Sequence, residues 1–178
     1  MVHLFEGEVR GSRGIDAVGK GEVRMGEVRL REYRAGDLEA MWALDVACFA
    51  EAFRFSRRAM RGFAEARGAA AVVAEVSGGE GEGAGMVGFC VAQLEGEAGY
   101  VVTLDVAEAW RRRGLARRLM EEVEARMRAA GAVGMALHVS VENAAAIGFY
   151  AGMGYARVGR VKGFYGRGGD AWVYRREF

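Results

Sequence analysis

Apolar and polar residues follow several different periods along this chain, and each period predicts one type of element. Residues 28–33 alternate between apolar and charged side chains, which is typical of a half-exposed strand. Helical patterns follow at 37–49 and 56–66, with Asp37 and Ser56 at or near their N-caps. On the first helix the expected buried residues are Leu38, Met41, Leu44 and Val46. Apolar runs then predict a meander of three strands, at 70–76, 85–94 and 100–106, with a flexible loop at 77–84.

The clearest helical pattern begins at residue 115. Opposite charges lie four residues apart on its polar side, as in Arg118 and Glu122, and Gly131 supplies a C-terminal stop. The apolar positions of this helix are Leu115, Leu119, Met120, Val123 and Met127. After it we expect a strand at 133–141, a helix beginning at Asn143, and strands near 155–162 and 171–177. This order of elements predicts a mixed α/β or α+β domain.

The sequence Trp-Arg-Arg-Arg-Gly-Leu-Ala, at 110–116, joins a predicted strand directly to this helix. The first N–H groups of a helix lack intrahelical acceptors, and the aligned peptide dipoles favour an anion there. Gly114 leaves the backbone accessible, and the small Ala116 keeps the next turn open. Arginines at a helix N-terminus are unfavourable by about 0.3–1 kcal/mol each without an anion. We therefore favour a phosphate site over a solvated cap or a nonspecific nucleic-acid patch.

Composition narrows the class of protein without indicating a reaction. A chain of 178 residues predicts one domain, and 52% apolar with 28% charged residues is an ordinary globular mixture. The net charge of +1 gives no general attraction to nucleic acid or membranes. No apolar run approaches the ~20 residues that span a bilayer, and no signal-peptide pattern is present, so we expect a cytoplasmic protein. Cys48 and Cys90 lie in apolar segments, which favours buried thiols over a disulfide or a metal site.

The first 24 residues differ from the rest of the chain. Gly-Glu-Val-Arg occurs at 7–10, 21–24 and 26–29, at irregular spacings that define no structural repeat. We expect residues 1–24 to form a poorly ordered extension, with a short strand or a partner-binding arm as the alternative. Residues 25–178 are then the single domain, as a monomer or a homodimer.

A second group of polar residues lies on the strand at 133–141 and on the helix after it. Strand alternation places His138 on the face opposite the apolar residues of that strand. Asn143 is placed to cap the following helix, on which Ala146 and Tyr150 share a face. Taken alone, a histidine and a tyrosine in such places are most often structural. Their order after the arginine turn changes that interpretation.

Together these motifs resemble the Gcn5-related N-acetyltransferase superfamily. The turn pattern of that family is Arg or Gln, two residues, Gly, one residue, then Gly or Ala, and Arg111, Gly114 and Ala116 match it. The strand Leu-His-Val and the segment Asn-Ala-Ala-Ala-Ile-Gly-Phe-Tyr at 143–150 follow in the family order. Ala109 departs from a frequent proline. The resemblance implies a central, mixed, mostly antiparallel sheet of six or seven strands, two of them splayed, with about four helices.

The resemblance also implies acetyl-CoA as the acetyl donor, and no metal. The diphosphate of acetyl-CoA would bind the N–H groups of 111–116, and its pantetheine arm would lie between the splayed strands. The backbone N–H of Val106 would contact the acyl oxygen, and Tyr150 would protonate or hydrogen-bond the departing thiolate. The implied binding residues are Leu104, Val106, Arg111, Arg112, Arg113, Gly114, Leu115, Ala116, Asn143, Ala146 and Tyr150.

A finer resemblance connects the chain with protein N-terminal (Nα) acetyltransferases, including the ribosomal-protein-alanine type. Phe164-Tyr165 before Asp170-Ala171 resembles the tyrosine pair that grips the substrate, with Phe164 replacing one tyrosine. Tyr100 and His138 resemble residues that share the role of base in one eukaryotic branch, whereas the bacterial branch usually has glutamate in place of the histidine. The residues implied to bind the acceptor are Phe49, Glu51, Phe53, Phe164 and Tyr165.

These residues predict transfer of an acetyl group to the α-amine of a protein or peptide N-terminus by direct attack. An α-amine has a reference pKa of ~7.7–8.0, so a histidine near ~6.5 suffices as base, whereas a lysine amine near ~10.4 is harder to deprotonate. Glu51 leaves open a small amine, such as a polyamine or an antibiotic, as acceptor. A non-catalytic acyl-CoA-binding module is disfavoured by the presence of Tyr100, His138 and Tyr150 together. Nucleic-acid binding is disfavoured because glutamates neutralise the arginines of the same helix.

Overall fold

Seven strands form one sheet in the computed structural model, which describes residues 28–77, 85–166 and 169–178. The strands are β1 (Val28–Glu32), β2 (Ala69–Val76), β3 (Gly85–Glu95), β4 (Ala98–Val106), β5 (Gly134–Ser140), β6 (Ala156–Val161) and β7 (Ala171–Glu177). The α-helices within these residues are α1 (Leu38–Cys48), α2 (Arg57–Ala64), α3 (Leu115–Ala129) and α4 (Ala144–Gly152). These elements confirm the predicted fold class. The expected extension at 1–24, and all of the loop at 77–84 except residue 77, lie outside the described residues.

The sheet is mixed and mostly antiparallel, in the order β1-β2-β3-β4-β5-β7-β6. The neighbours β4 and β5 run parallel, and their pairing extends from Ala98 opposite Gly134 to Tyr100 opposite Ala136. Beyond these residues β4 continues beside β3 as far as Val106, whereas β5 continues beside β7. The two strands therefore splay apart over their C-terminal halves, as predicted. We call the space between them the splay.

Helices cover both faces of the sheet. Helices α3 and α4 bury Leu119 and Tyr150 in one apolar cluster, and α1 and α2 bury Met41 and Met60 in the other. Each fully buried side chain of this size contributes ~1.5–3 kcal/mol to stability. The alternation of side chains along β4 places Leu104 and Val106 on the α3 face, so Thr103 and Asp105 point to the face that α1 covers.

Most helix ends follow the sequence-based expectations. The side chains of Ser56 and Asn143 accept hydrogen bonds from Ala59 N–H and Ala146 N–H, at 3.2 Å and 3.0 Å, and Gly131 has φ +96°. Asp37 occupies the N-cap position of α1, as expected, but its side chain makes no capping hydrogen bond to that helix, and a short 3-10 turn at Ala35–Asp37 precedes it. Its carboxylate instead accepts from Arg34 N–H and pairs with Arg31.

The buried side of α1 also differs from the expected one. Leu38 and Met41 are buried, but Leu44 and Val46 are only half-buried, and the next buried position is Asp45. The carboxylate of Asp45 accepts a hydrogen bond of 3.0 Å from Phe55 N–H, which explains why a polar side chain replaces an apolar one there.

Gly88 on β3 allows α3 to lie close to the C-terminal end of β4. A Cβ atom added at Gly88 would lie 2.9 Å from the carbonyl oxygen of Asp105 and 3.1 Å from a methyl group of Leu119. The contact with the Asp105 carbonyl involves backbone, so it can relax only if one of the two strands moves. The end of β4 is the part of the sheet that borders the splay, so this close approach fixes the position of the site.

We predict that Gly88→Ala destabilises the fold by about 1–3 kcal/mol through overpacking. The matched control is Gly62→Ala, because Gly62 lies inside α2 with no atom within 4 Å of an added Cβ. That control is expected to stabilise the helix by about 0.5–1 kcal/mol. Urea denaturation measures both free energies of unfolding, and equal effects of the two substitutions would contradict the packing described here.

Candidate active site

The backbone between β4 and α3 turns sharply through two left-handed residues. Gly114, the N-cap of α3, has φ +82°, and Arg112 has φ +58°. An added Cβ at Gly114 would meet no atom within 4 Å, so its backbone angle rather than space requires the glycine. The first intrahelical bond runs from Arg118 N–H to Gly114 C=O, and the N–H groups of residues 115–117 precede it. These donors, at the positive end of the helix dipole, suit a phosphate.

The arginines around this turn have different partners. The guanidinium of Arg113 lies 5.7 Å from the ring centroid of Trp110, and that of Arg117 donates to Gly152 C=O at 3.1 Å and so connects α3 to α4. Arg111 is half-buried, and its Nε donates to Val106 C=O at 3.0 Å. The long side chains thus spread away from the helix axis, which reduces the electrostatic cost of placing cations at an N-terminus.

A cavity of ≈ 640 Å³ lies between this turn, the first turn of α3 and the start of α4. Its lining includes five residues predicted from the sequence, namely Val106, Arg111, Arg112, Gly114 and Ala116. It also includes five that the sequence analysis missed, namely Glu108, Trp110, Arg117, Ala145 and Phe149. Helical spacing could have indicated Arg117, which follows Gly114 by three residues on the same helix face.

The end of β4 presents backbone groups to the splay. Leu104 and Val106 are buried, with 1% and 4% of their surface exposed. Ala107 N–H donates to Val87 C=O on β3 at 2.9 Å. Because successive N–H groups of a strand point to opposite edges, Val106 N–H points away from β3 and toward the splay. A donor in this place suits an oxygen that becomes negative during a reaction.

Two buried polar groups near the splay have no hydrogen-bond partner within the described part of the chain. They are the hydroxyl of Tyr150, which is fully buried on α4, and the side-chain N–H₂ of Asn143. Burial raises the pKa of Tyr150 well above its usual value, so its O–H stays protonated at neutral pH. A buried donor without a partner costs ~1–3 kcal/mol, so a ligand that accepts from both groups would recover this energy. Ala146 lies on the same buried face of α4.

Tyr100 and His138 form the polar pair that the sequence predicts. The Tyr100 hydroxyl lies 3.0 Å from Nδ1 of His138, and the imidazole stacks on Phe164 with ring centroids 4.1 Å apart. Burial raises the pKa of Tyr100 to about 12 and lowers the pKa of His138 below its usual value. The imidazole is therefore neutral at pH 7 and available as a proton acceptor.

Aromatic rings connect this pair to the loop after α1. Phe164 contacts Tyr165 edge-on at 4.9 Å, and Tyr165 contacts Phe53 edge-on at 5.5 Å. Phe49 is buried, whereas Glu51 is exposed on a 3-10 turn. Phe164 and Tyr165 thus lie beside His138, and Phe53 contacts Tyr165 from the loop after α1. Phe49 and the exposed Glu51 belong to the same loop.

Two buried carboxylates on this side were not predicted as site residues. Asp45 on α1 and Asp105 on β4 are 0% and 1% exposed, and Asp105 accepts a hydrogen bond from the Thr103 hydroxyl. Burial raises the pKa of Asp45 to about 6, and burial together with the charge of Asp45 raises the pKa of Asp105. The signal for Asp105 was present in the sequence, as the one acidic residue within the apolar run 100–106.

Comparison with known proteins identifies the family. The family model described as the acetyltransferase (GNAT) family matches residues 38–155, which include the turn, the splay and Tyr150. The chain belongs to this family. Membership of this family makes it an N-acetyltransferase. The search of curated protein sequences found no significant match.

Solved structures with the same fold are abundant. The ribosomal-protein-S18-alanine N-acetyltransferase of Escherichia coli has 20% sequence identity and a TM-score of 0.72, over 84% of this chain and 93% of that chain. NAA60 of Arabidopsis thaliana, solved with a bisubstrate analogue, has 24% identity and a TM-score of 0.71, over 84% and 97%. Nourseothricin acetyltransferase has 22% identity and a TM-score of 0.67, over 85% and 98%. At such identities the similarity establishes the fold of this GNAT protein and not its acceptor.

Three further observations concern the described residues alone. They contain no group of three or more His, Cys, Asp or Glu side chains that could hold a metal ion. None of the helices formed by these residues has the length and apolar character that crossing a membrane requires. Cys48 is a half-buried free thiol and Cys90 a buried one.

We predict that His138 titrates below 6.5, the reference value for histidine, because burial penalises the imidazolium form. NMR detection of the ring during a pH titration measures this midpoint. Phe164→Ala removes the stacked ring and should move the midpoint upward, whereas Phe63→Ala, at the remote Phe55–Phe63 contact, should not. Because the folded state binds this proton less readily, the stability contributed by neutral His138 is lost as pH falls from 6.5 through the folded pKa. A midpoint at or above 6.5 would contradict the burial described here.

Proposed function

We propose that this GNAT protein transfers the acetyl group of acetyl-CoA to the α-amine of a protein or peptide N-terminus by direct attack. The observation that best supports the proposal is the Tyr100–His138 pair, joined by stacked and edge-on rings to Phe53 on the loop after α1. A histidine is a weak base, which suffices for an α-amine with its reference pKa of ~7.7–8.0. The aromatic rings beside it suit an extended peptide attached to that amine.

On the donor side, the residues present fit acetyl-CoA. We assign the diphosphate to the N–H groups of the turn and first helical residues, 111–116, with arginine side chains adding charge-assisted hydrogen bonds. We assign the pantetheine arm to the splay, beside Leu104 and Val106 on β4. The Asn143 N–H₂ and the Tyr150 hydroxyl would gain acceptors there.

The steps of the transfer follow from the groups around the splay. Acetyl-CoA supplies an activated thioester carbonyl. Neutral His138, oriented by Tyr100, accepts one proton from the amine, whose nitrogen bonds to the carbonyl carbon. Val106 N–H stabilises the negative charge that develops on the acyl oxygen. As the carbon–sulfur bond breaks, the protonated Tyr150 donates to the sulfur, so one proton is taken at His138 and one supplied at Tyr150.

A small cationic amine is the second candidate acceptor. Glu51 is an exposed carboxylate on the acceptor-side loop. Its negative charge favours a polycation, such as a polyamine or an antibiotic. The fold similarity to nourseothricin acetyltransferase is compatible with this candidate.

We place the protein in the cytoplasm, as the sequence predicts, because its proposed acetyl donor is a metabolite of the cell interior. Its proposed partners are therefore acetyl-CoA and the N-termini of other proteins.

A competition assay distinguishes the two acceptors. The full chain is incubated with acetyl-CoA and peptides that vary in their first residue, with N-terminally blocked peptides that contain lysine, and with spermidine and nourseothricin. Release of the CoA thiol gives the rate, and mass spectrometry locates the acetyl group. At pH 7 an α-amine is neutral roughly 200–400 times more often than a lysine amine, so we expect preference of that order for free N-termini over lysine side chains. Faster acetylation of a small amine or of the blocked peptides would contradict the proposal.

A further inference from the structure

The side chain of Arg111 binds groups on the acceptor side of the sheet. Its Nε donates to the carbonyl of Val106 at 3.0 Å, and its terminal N–H₂ donates to Sγ of Cys48 at 3.6 Å. The Cys48 thiol in turn donates to the same carbonyl at 3.5 Å. The turn before α3 and the end of β4 therefore meet the last residue of α1, which lies 58 residues earlier in the chain than Val106.

Cys48 is followed directly by the loop at 49–55, which we call the acceptor loop. Its first residue, Phe49, donates its N–H to Asp45 C=O at 3.0 Å and accepts from Nε of Arg54 at 2.7 Å. At its far end, Phe55 N–H donates to the Asp45 carboxylate at 3.0 Å. Both ends of the acceptor loop are thus held by the last turn of α1, which ends at Cys48.

Electrostatics favours the observed place of the Arg111 guanidinium. Asp105 is almost fully buried one residue before Val106, and its charge interacts with Arg111, Cys48 and Asp45. A buried carboxylate needs a compensating charge or hydrogen bonds. The Arg111 guanidinium opposes part of the rise that burial causes in the pKa of Asp105. Together with its hydrogen bonds to Val106 C=O and Cys48 Sγ, this attraction favours its place at the end of β4.

We propose that Arg111 is a positioning residue that links occupation of the phosphate-binding turn to order in the acceptor loop, through Val106 and Cys48. This proposal rests on the part of the proposed function that places acetyl-CoA at the turn. It does not depend on which amine is the acceptor. A ligand that fixes the backbone of the turn also fixes the stem of Arg111, and the guanidinium then holds the end of α1. When the first ligand has ordered the acceptor loop, the second ligand no longer has to order it and loses less conformational entropy on binding. Each ligand therefore strengthens the binding of the other.

Hydrogen exchange of the full chain, with and without saturating CoA, tests this link. NMR follows the amides of Phe49 and Phe55 in the acceptor loop, and those of Ala116 and Arg117 report occupation of the turn. In the wild-type protein we expect CoA to slow exchange at Phe49 and Phe55 at least about fivefold, the lower end of typical couplings between sites. Cys48→Ala and Arg111→Gln should abolish this slowing, while CoA still protects Ala116 and Arg117.

Two further variants separate the link from a general loss of structure. Cys48→Ser keeps a group that donates and accepts hydrogen bonds, so it should restore most of the slowing that Cys48→Ala removes. Arg118→Gln is the matched control, because Arg118 donates to Val28 C=O at 3.1 Å, near β1 and away from the acceptor loop. If Arg111→Gln fails to fold, the Cys48 pair still decides the question.

Each contrary result has a distinct meaning. Slowing that is equal in the wild-type protein and Cys48→Ala would overturn the link, and so would CoA protecting the turn without slowing Phe49 or Phe55. If CoA changed no amide at all, both the link and the proposed acetyl-CoA site would be wrong. If CoA slows these amides but the protein acetylates only small amines, the link stands and the proposed acceptor is wrong.

Discussion

The rest of the structure depends on the loss of pairing between β4 and β5. The two parallel strands pair over three positions and then separate, with β4 remaining paired to β3 and β5 to β7. Backbone groups on that edge of β4, including Val106 N–H, then face open space instead of a neighbouring strand. Unpaired backbone groups inside a fold are costly. A ligand with its own acceptors and donors can offset that cost by hydrogen bonding to these groups. The separation of the strands therefore favours binding of a ligand at the splay.

The two faces of the sheet contribute different chemistry to this opening. On the α3 side lie a helix N-terminus, the 640 Å³ cavity and the buried Tyr150 hydroxyl, all suited to a phosphate and a thiol. On the α1 side lie the neutral His138, the aromatic rings beside it and the buried Asp45 and Asp105. The donor and the acceptor can therefore approach from opposite sides of one sheet. Arg111 crosses between the sides, since its backbone belongs to the turn and its guanidinium to the end of α1.

Local sequence signals predicted the elements because period and caps are local properties. Ser56, Asn143 and Gly131 act at helix ends as expected, and the burial of Leu115 and Leu119 follows from helical spacing. The positions that were missed depend on contacts between distant segments. The Asp37 carboxylate pairs with Arg31 instead of bonding to the first turn of α1, Asp45 is buried where it accepts from Phe55 N–H, and the Arg111 guanidinium turns toward Cys48. The family resemblance placed Tyr100 and His138 in one site, which spacing alone could not do.

The central claim is that acyl transfer takes place at the splay, with the buried Tyr150 hydroxyl beside the departing sulfur. The most direct test is Tyr150→Phe, which removes one oxygen from a fully buried ring, compared with Tyr33→Phe, whose hydroxyl binds Glu65 at a remote exposed position. Steady-state kinetics with the acceptor found by competition, and calorimetry with acetyl-CoA, measure the two effects. We expect Tyr150→Phe to lower kcat about a hundredfold or more, as for loss of a general acid, with a nearly unchanged dissociation constant for acetyl-CoA. An unchanged kcat would contradict the central claim.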